Sequence, residues 1–88
     1  MTNEEAIASL EGLIVSLANE GELPRGLSNI ALRPDMELSD LGLDSLGKMN
    51  LLCGLDERLG LYIADDALPD HTAIGHIAEL LVGLSNDD

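Results

Sequence analysis

Apolar residues recur every three or four positions in separate segments of this chain, and that spacing constrains its fold more than any other feature of the sequence. In the first segment the spacing places one apolar stripe on a helix and does not fit the alternation of a strand. Thr2 and Glu5 have the spacing of a capping box, in which each side chain accepts from an amide at the helix start. We therefore predict a first helix from about Asn3 to Asn19. Its stripe consists of Ile7, Leu10, Ile14 and Leu17.

A second helix is predicted to begin at Asp44 or Ser45, because either side chain can accept hydrogen bonds from the first amides, and to end at Gly60. Gly47 and Gly54 lie inside it, each at a cost of roughly 1 kcal/mol relative to alanine. Either tertiary packing supports the helix despite these glycines, which is the interpretation we favour, or the close approach of another element requires them to be small. The apolar residues of this segment are Leu46, Met49, Leu52, Leu55 and Leu59.

Two more helical segments are predicted in the last third of the chain. The stretch from Asp65 to Leu68 has room for one short turn before Pro69 interrupts it. Thr72 is expected to cap the last helix, whose apolar residues again recur at spacings of three and four. This last stripe consists of Ile74, Ile77, Leu81 and Leu84.

The stretch from Glu20 to Leu43 has no sustained period and contains several glycines and prolines up to Pro34. A loop of this length is uncommon in a compact domain, so we expect its apolar residues to pack on the helices. The sequence thus predicts an all-α fold, a small four-helix bundle of three main helices and one short helix with a long loop between helices one and two. Residues 1–84 form this domain, and residues 85–88 are expected to be a frayed tail.

The charge of the chain is strongly acidic, since 17 Asp and Glu against 4 Lys and Arg give a formal net charge of −13. Such a charge repels nucleic acid and anionic membrane surfaces, and it favours protein partners with basic patches. No segment of the sequence approaches membrane-spanning length. A chain of 88 residues also buries too little surface for a large enzyme pocket, which argues against a catalytic role.

Cysteine and histidine give no sign of a metal or redox site. Cys53 is the only cysteine, which excludes an internal disulfide and a cysteine-based zinc site, and we expect it to be a small buried apolar residue. His71 and His76 are five residues apart, not the four that align two ligands on a helix, and both are expected to be exposed. The polar, acidic first residues do not form a secretory signal, so a cytoplasmic protein is expected. Met1 and the lack of flanking domain sequence favour a freestanding protein over a module of a synthase, and we expect a monomer.

A serine stands at the predicted start of helix two, within the run Leu41-Gly42-Leu43-Asp44-Ser45-Leu46. The amides at a helix N-terminus and the helix dipole both favour a negatively charged phosphate ester on such a serine. The alternative is that Asp44 and Ser45 serve only as a helix cap.

This run, followed by an apolar helix, resembles the defining motif of the acyl and peptidyl carrier protein family. The likeness covers most of the chain: a long first helix, a long loop, a serine that opens helix two, an acidic short helix and a last helix. The resemblance implies a non-catalytic protein that carries acyl groups as thioesters on a 4'-phosphopantetheine arm. A phosphopantetheinyl transferase moves this arm from coenzyme A onto the motif serine, which matches Ser45.

The same resemblance gives roles to the neighbours of Ser45. Asp44 is expected to help bind the magnesium ion of the transferase in addition to capping the helix, and Gly42 and Leu43 complete the motif. Leu46 and Met49 are expected to contact the enzymes that load or process the acyl group. Burial in the bundle is the competing interpretation for both.

Helix two departs from the fatty-acid carriers that the chain otherwise resembles. Those carriers usually have acidic residues where Gly47, Lys48 and Asn50 stand here, whereas Asp56 and Glu57 keep the lower half of the helix acidic. We therefore expect a role in polyketide or other specialised-metabolite biosynthesis, with a housekeeping fatty-acid carrier or an aminoacyl or peptidyl carrier as the alternative. The predicted docking residues are Leu46, Lys48, Met49, Asn50, Asp56 and Glu57.

Three other functions fit the sequence less well. An esterase elbow requires glycine two residues before its serine, where this chain has Leu43. A calcium-binding hand requires glycine at the sixth loop position, where Asp40 stands. A small acidic adaptor without a cofactor, in which Asp44 and Ser45 only cap a helix, is the remaining rival.

Overall fold

The structure is a computed structural model that describes residues 1–69 and 71–85, and in this part of the chain it contains helices and no β-strand. The three α-helices are α1 (Asn3–Asn19), α2 (Ser45–Gly54) and α3 (Ile74–Ser85). A π-helical turn, Leu55–Leu59, continues α2. The predicted all-α bundle is confirmed. Short 3-10 turns lie at Arg25–Asn29, Leu38–Leu41 and Asp65–Ala67.

The first helix has the predicted bounds and the predicted cap. The backbone amide of Glu5 donates to Oγ1 of Thr2 at 3.1 Å, and the amide of Thr2 donates to Oε1 of Glu5 at 2.9 Å. The stripe faces inward, with Leu10 and Ile14 fully buried, and α1 packs against both α2 and α3. Local capping and apolar periodicity were therefore sufficient to define this helix.

The second helix packs against α1 through a glycine. A Cβ atom added at Gly54 would lie 3.2 Å from Cδ1 of both Leu13 and Leu17, which is tighter than an ordinary contact. At Gly54 the structure therefore supports the alternative that close approach of another helix requires a small residue. The predicted single helix ending at Gly60 is correct in extent, but its last turn is π-helical and ends at Gly60, which has a φ of 67°.

The loop between α1 and α2 is held to the helices along its length. The amide of Leu32 donates to Oε2 of Glu11 at 2.9 Å, and the guanidinium of Arg58 donates to Glu20, the C-cap residue of α1. The hydrogen bond from Arg58 lowers the pKa of the Glu20 carboxyl below its usual value. Apolar docking of the loop is confirmed. Its buried residues are Leu23, Leu27, Leu32, Leu38 and Leu41.

The start of α3 is capped by the loop, not by Thr72 as predicted. The amides of Ile74 and Gly75 donate to the carbonyl oxygens of Met36 and Pro34, at 2.7 and 3.0 Å. Those of His76 and Ile77 donate to the carbonyl oxygen of Ala73. Because these acceptors satisfy all four initial amides, the Thr72 hydroxyl is not needed there and donates to the Pro69 carbonyl.

Three further expectations concern side chains at the surface. Cys53 is exposed, so the prediction that it is buried is wrong, whereas His71 and His76 are exposed as expected. Ser85 is the last residue of α3, and the rest of the predicted frayed tail, residues 86–88, lies outside the described residues. Within residues 1–69 and 71–85, no helix combines the length and apolar character needed to cross a membrane.

Candidate functional site

The long loop delivers the chain to the start of α2 through a tight turn. The 3-10 turn Leu38–Leu41 ends at Gly42, whose φ of 73° lies in the left-handed region that glycine adopts at no steric cost. Leu43 is half-buried and supports the start of α2, since a Cβ atom added at Gly47 would lie 3.1 Å from its Cδ2 atom. The two leucines of the turn and Leu43 therefore hold the following residues in place.

Asp44 is the N-cap of α2, and Ser45 is its first residue. Oδ1 of Asp44 accepts from the amide of Gly47 at 2.8 Å, and the carbonyl oxygen of Asp44 accepts from the amide of Lys48 at 2.9 Å. The amides of Ser45 and Leu46, the first two of the helix, have no acceptor within the helix. Both point toward the N-terminal end of α2, where the helix dipole is positive, so a phosphate ester on Ser45 is electrostatically favoured there.

A cavity of about 280 Å³ opens beside the Ser45 side chain. Two serines line it, Ser39 in the 3-10 turn and Ser45 at the helix start, and both are exposed. Only Ser45 has the capped α-helix N-terminus next to its hydroxyl. The cavity is lined by Leu38, Ser39, Leu43, Asp44, Ser45, Lys48 and His71.

Two of the predicted docking residues display apolar side chains at the surface. Leu46 is 69% exposed and Met49 is 45% exposed, so the interpretation that they are buried in the bundle does not hold. Asp56 and Glu57 are exposed in the π-helical turn that continues α2. The structure therefore brings apolar and acidic side chains together along one helix, a combination typical of a protein-binding surface.

The other two predicted docking residues turn toward the protein. The Nδ2 atom of Asn50 donates to the carbonyl oxygen of Glu22 at 2.9 Å. The Nζ atom of Lys48 donates to the carbonyl oxygen of Leu68 at 2.9 Å, and only 11% of the Lys48 side chain is exposed. Both side chains thus connect α2 to other segments of the bundle.

Tyr62 is a surface residue that sequence reasoning did not include in the site. It is the only aromatic residue of the chain, and it is 67% exposed. With the equally unpredicted Cys53, it lines a groove of about 170 Å³ against α2. The sequence did offer one indication, since Tyr62 is the single aromatic residue and belongs to none of the predicted apolar stripes. The groove is lined by Met49, Leu52, Cys53, Asp56, Tyr62, Ile63 and Asp65.

The geometry at Ser45 fits a covalently attached phosphopantetheine. Its hydroxyl is exposed, the amides of the helix start stand beside it, and the adjoining cavity leaves room for substituents on the oxygen. Oδ2 of Asp44 makes no hydrogen bond to the described residues, so it is available to a metal ion that a partner brings. No group of three or more metal-binding side chains occurs in residues 1–69 and 71–85.

Comparison with known proteins gave two matches. The family model described as "Phosphopantetheine attachment site" matches residues 25–81, which include most of the long loop, α2 and most of α3. An acyl carrier protein homolog of Ureaplasma parvum serovar 3 (strain ATCC 700970) is 30% identical over 60 residues, which cover 68% of this chain and 73% of that protein. No solved structure matched the chain.

The matched residues contain the whole helix start, the cavity beside it and the exposed face of α2. A family of this kind acts as a non-catalytic carrier and holds its cofactor covalently. The helical bundle, the exposed serine at the start of α2 and both comparisons therefore agree that this chain belongs to the acyl carrier proteins with a covalently attached 4'-phosphopantetheine.

Proposed function

We propose that Ser45 is the attachment residue and that the protein carries acyl intermediates of polyketide or other specialised-metabolite biosynthesis. The observation that carries the choice of Ser45 is its position: an exposed hydroxyl on the first residue of α2, directly after an N-cap carboxylate. The arm supplies a terminal thiol on which acyl groups are held as thioesters. The protein acts as a cytoplasmic monomer in this role.

The chemistry of loading requires little from the carrier beyond an accessible hydroxyl. The Ser45 oxygen forms a bond to the phosphorus that bears the pantetheine of coenzyme A, and the bond from that phosphorus to the nucleotide breaks. The nucleotide leaves as 3',5'-ADP, and the hydroxyl proton passes to a base of the transferase. Asp44 can contribute Oδ2 to the magnesium ion of the transferase while Oδ1 keeps the helix start fixed.

Loading is tested by the intact mass of the purified chain. After incubation with coenzyme A, magnesium and a broad-specificity phosphopantetheinyl transferase, the mass should rise by one phosphopantetheine group. A second group would show that Ser45 is not the only acceptor. An unchanged mass for a chain of native helical content would contradict the proposed function.

The proposed docking face is the exposed side of α2 with the start of the helix. Leu46 and Met49 provide apolar contact, and Asp56 and Glu57 provide negative charge. Partners with basic patches should approach this face quickly and leave it again, which suits a carrier that serves several enzymes in turn. Lys48 does not provide a direct contact on this face, because its side chain turns toward Leu68 and Asp65.

Transferase turnover is expected to depend on salt. We expect kcat/KM to fall by at least about threefold between low salt and ~0.5 M salt, since screening weakens attraction between opposite charges. The double variant Asp56→Asn, Glu57→Gln should lower kcat/KM and flatten the salt dependence, measured by steady-state kinetics. Glu4→Gln is the control, because it replaces an exposed carboxylate with an amide on α1, outside the proposed docking face. Equal slopes in the double variant and the unaltered chain would refute docking through this acidic turn.

The choice of pathway rests on the middle of α2. Gly47 is buried against Leu43, and Lys48 and Asn50 turn inward, so this stretch shows little negative charge to a partner. Partners selected for a continuous acidic helix would bind this surface weakly. The intact mass of carrier isolated from its native host would identify the acyl group, and a saturated fatty acyl series would contradict the specialised-metabolite assignment.

A further inference from the structure

Lys48 is the only lysine of the chain, and it belongs to the helix that Ser45 opens. Its Nζ atom donates to the carbonyl oxygen of Leu68 at 2.9 Å and lies 3.3 Å from Oδ1 of Asp65. These contacts span 17 and 20 residues of sequence and join α2 to the short turn Asp65–Ala67. Because the lysine side chain is only 11% exposed, its charge is directed into the protein rather than toward a partner.

The anion paired with Lys48 stands at the edge of the proposed docking face. The Asp65 side chain is 56% exposed and lines the same groove as Met49 and Asp56. At a separation of 3.3 Å the ammonium group offsets part of the field that this carboxylate presents to an approaching molecule. The pair therefore reduces the negative charge of the groove without removing an acidic residue.

We infer that Lys48 is a positioning residue for partner recognition, which holds the Asp65–Ala67 turn against α2 and offsets part of the negative charge of Asp65 beside the docking face. The inference rests on the proposed function. The negative charge that partners meet is then concentrated at the two ends of the helix, at Asp44 and at Asp56 with Glu57. Partners should then need basic residues that match these ends rather than the middle of α2.

Two single variants should shift transferase binding in opposite directions. Lys48→Met removes the positive charge beside Asp65, so the KM for the carrier at low salt should fall by about twofold to threefold, with kcat unchanged. Asp65→Asn removes one negative charge from the edge of the docking face and should raise KM by a similar factor. Both KM changes should shrink at high salt. A purely structural tie would raise KM in both variants, because either one loosens the turn.

Three controls separate local from general effects. Arg33→Met changes the net charge as much as Lys48→Met, but at an ion pair whose two side chains are both exposed, and it should change KM less. Lys48→Arg should restore values close to those of the unaltered chain. The double variant Lys48→Met, Asp65→Asn should return KM toward its original value. Amide resonances of residues 65–68 should shift in Lys48→Met and not in Arg33→Met.

The inference is overturned if Lys48→Met raises KM, if Arg33→Met lowers it equally, or if the amides of residues 65–68 keep their positions in Lys48→Met. Failure of the proposed function has a different signature, since the unaltered chain would then gain no phosphopantetheine mass. The amide resonances would still report whether Lys48 ties the turn to α2.

Discussion

Replacing Ser45 with alanine is expected to abolish phosphopantetheine loading and to leave the helical bundle folded. The hydroxyl is exposed, and no hydrogen bond joins it to the described residues, so the fold does not depend on it. Asp44 still accepts from the amide of Gly47 and keeps the helix start in place. Intact mass after incubation with transferase and coenzyme A measures the loss, and circular dichroism measures the fold.

The matched control for this variant is Ser39→Ala. Ser39 lines the same cavity and is also exposed, but it lies in a 3-10 turn and has no capped α-helix start beside it. We expect Ser39→Ala to load fully. Loading that persists in Ser45→Ala, or that is lost only in Ser39→Ala, would place the arm on another residue.

The second large effect is expected at Gly54, where α1 and α2 approach closely. In Gly54→Val the new side chain meets the Cδ1 atoms of Leu13 and Leu17, of which Leu17 is buried and Leu13 nearly so. Overpacking of this kind costs about 1–3 kcal/mol. That is a large share of the roughly 5–15 kcal/mol that stabilises a typical domain. Urea unfolding should show a lower midpoint with a similar slope.

Gly12→Val is the matched control for that variant. Gly12 lies inside α1 and is exposed, and no atom lies within 4 Å of a Cβ added there. The same glycine-to-valine change in an open helical position should alter the free energy of unfolding by less than about 0.5 kcal/mol. Equal destabilisation at both positions would mean that valine disfavours the helix itself and that the contact at Gly54 is not tight.

The helices could be predicted from the sequence wherever the determining interactions are local. Thr2 and Glu5 are three residues apart and fix the start of α1 by themselves. The cap of α3 could not be predicted, because the acceptors of its first two amides, the carbonyl oxygens of Met36 and Pro34, lie 38 and 41 residues earlier in the chain than the donors. Thr72 was the best local candidate, but long-range backbone pairing replaced it.

The exposure of Cys53 was missed because α2 has an ambiguous apolar pattern. The helix buries Leu51, Leu52 and Leu55, whereas Leu46 and Met49 are exposed. Cys53 is two residues from both Leu51 and Leu55, and two residues correspond to about 200° around a helix, so it points away from them. Because leucines occur on both the buried and the exposed side of the helix, the apolar spacing did not identify the exposed side.

In the candidate site, too, the local features could be predicted from the sequence and the long-range contacts could not. The serine, its capping aspartate and the turn glycine are neighbours in sequence, so a local motif was enough to bring them together. The Lys48 side chain points inward because it contacts Leu68 and Asp65. These two residues follow the π-helical turn in sequence, and the fold brings them next to α2. No spacing in the sequence indicates that contact.

The central claim, that the arm is attached to Ser45, is tested most directly by fragmentation mass spectrometry of the loaded chain. Proteolysis followed by fragmentation that keeps the phosphodiester intact locates the added group on a single residue. The account predicts that every modified peptide contains Ser45 and that fragments on either side assign the arm to that residue. An arm on Ser39, or on any of the serines outside the run that opens α2, would contradict it.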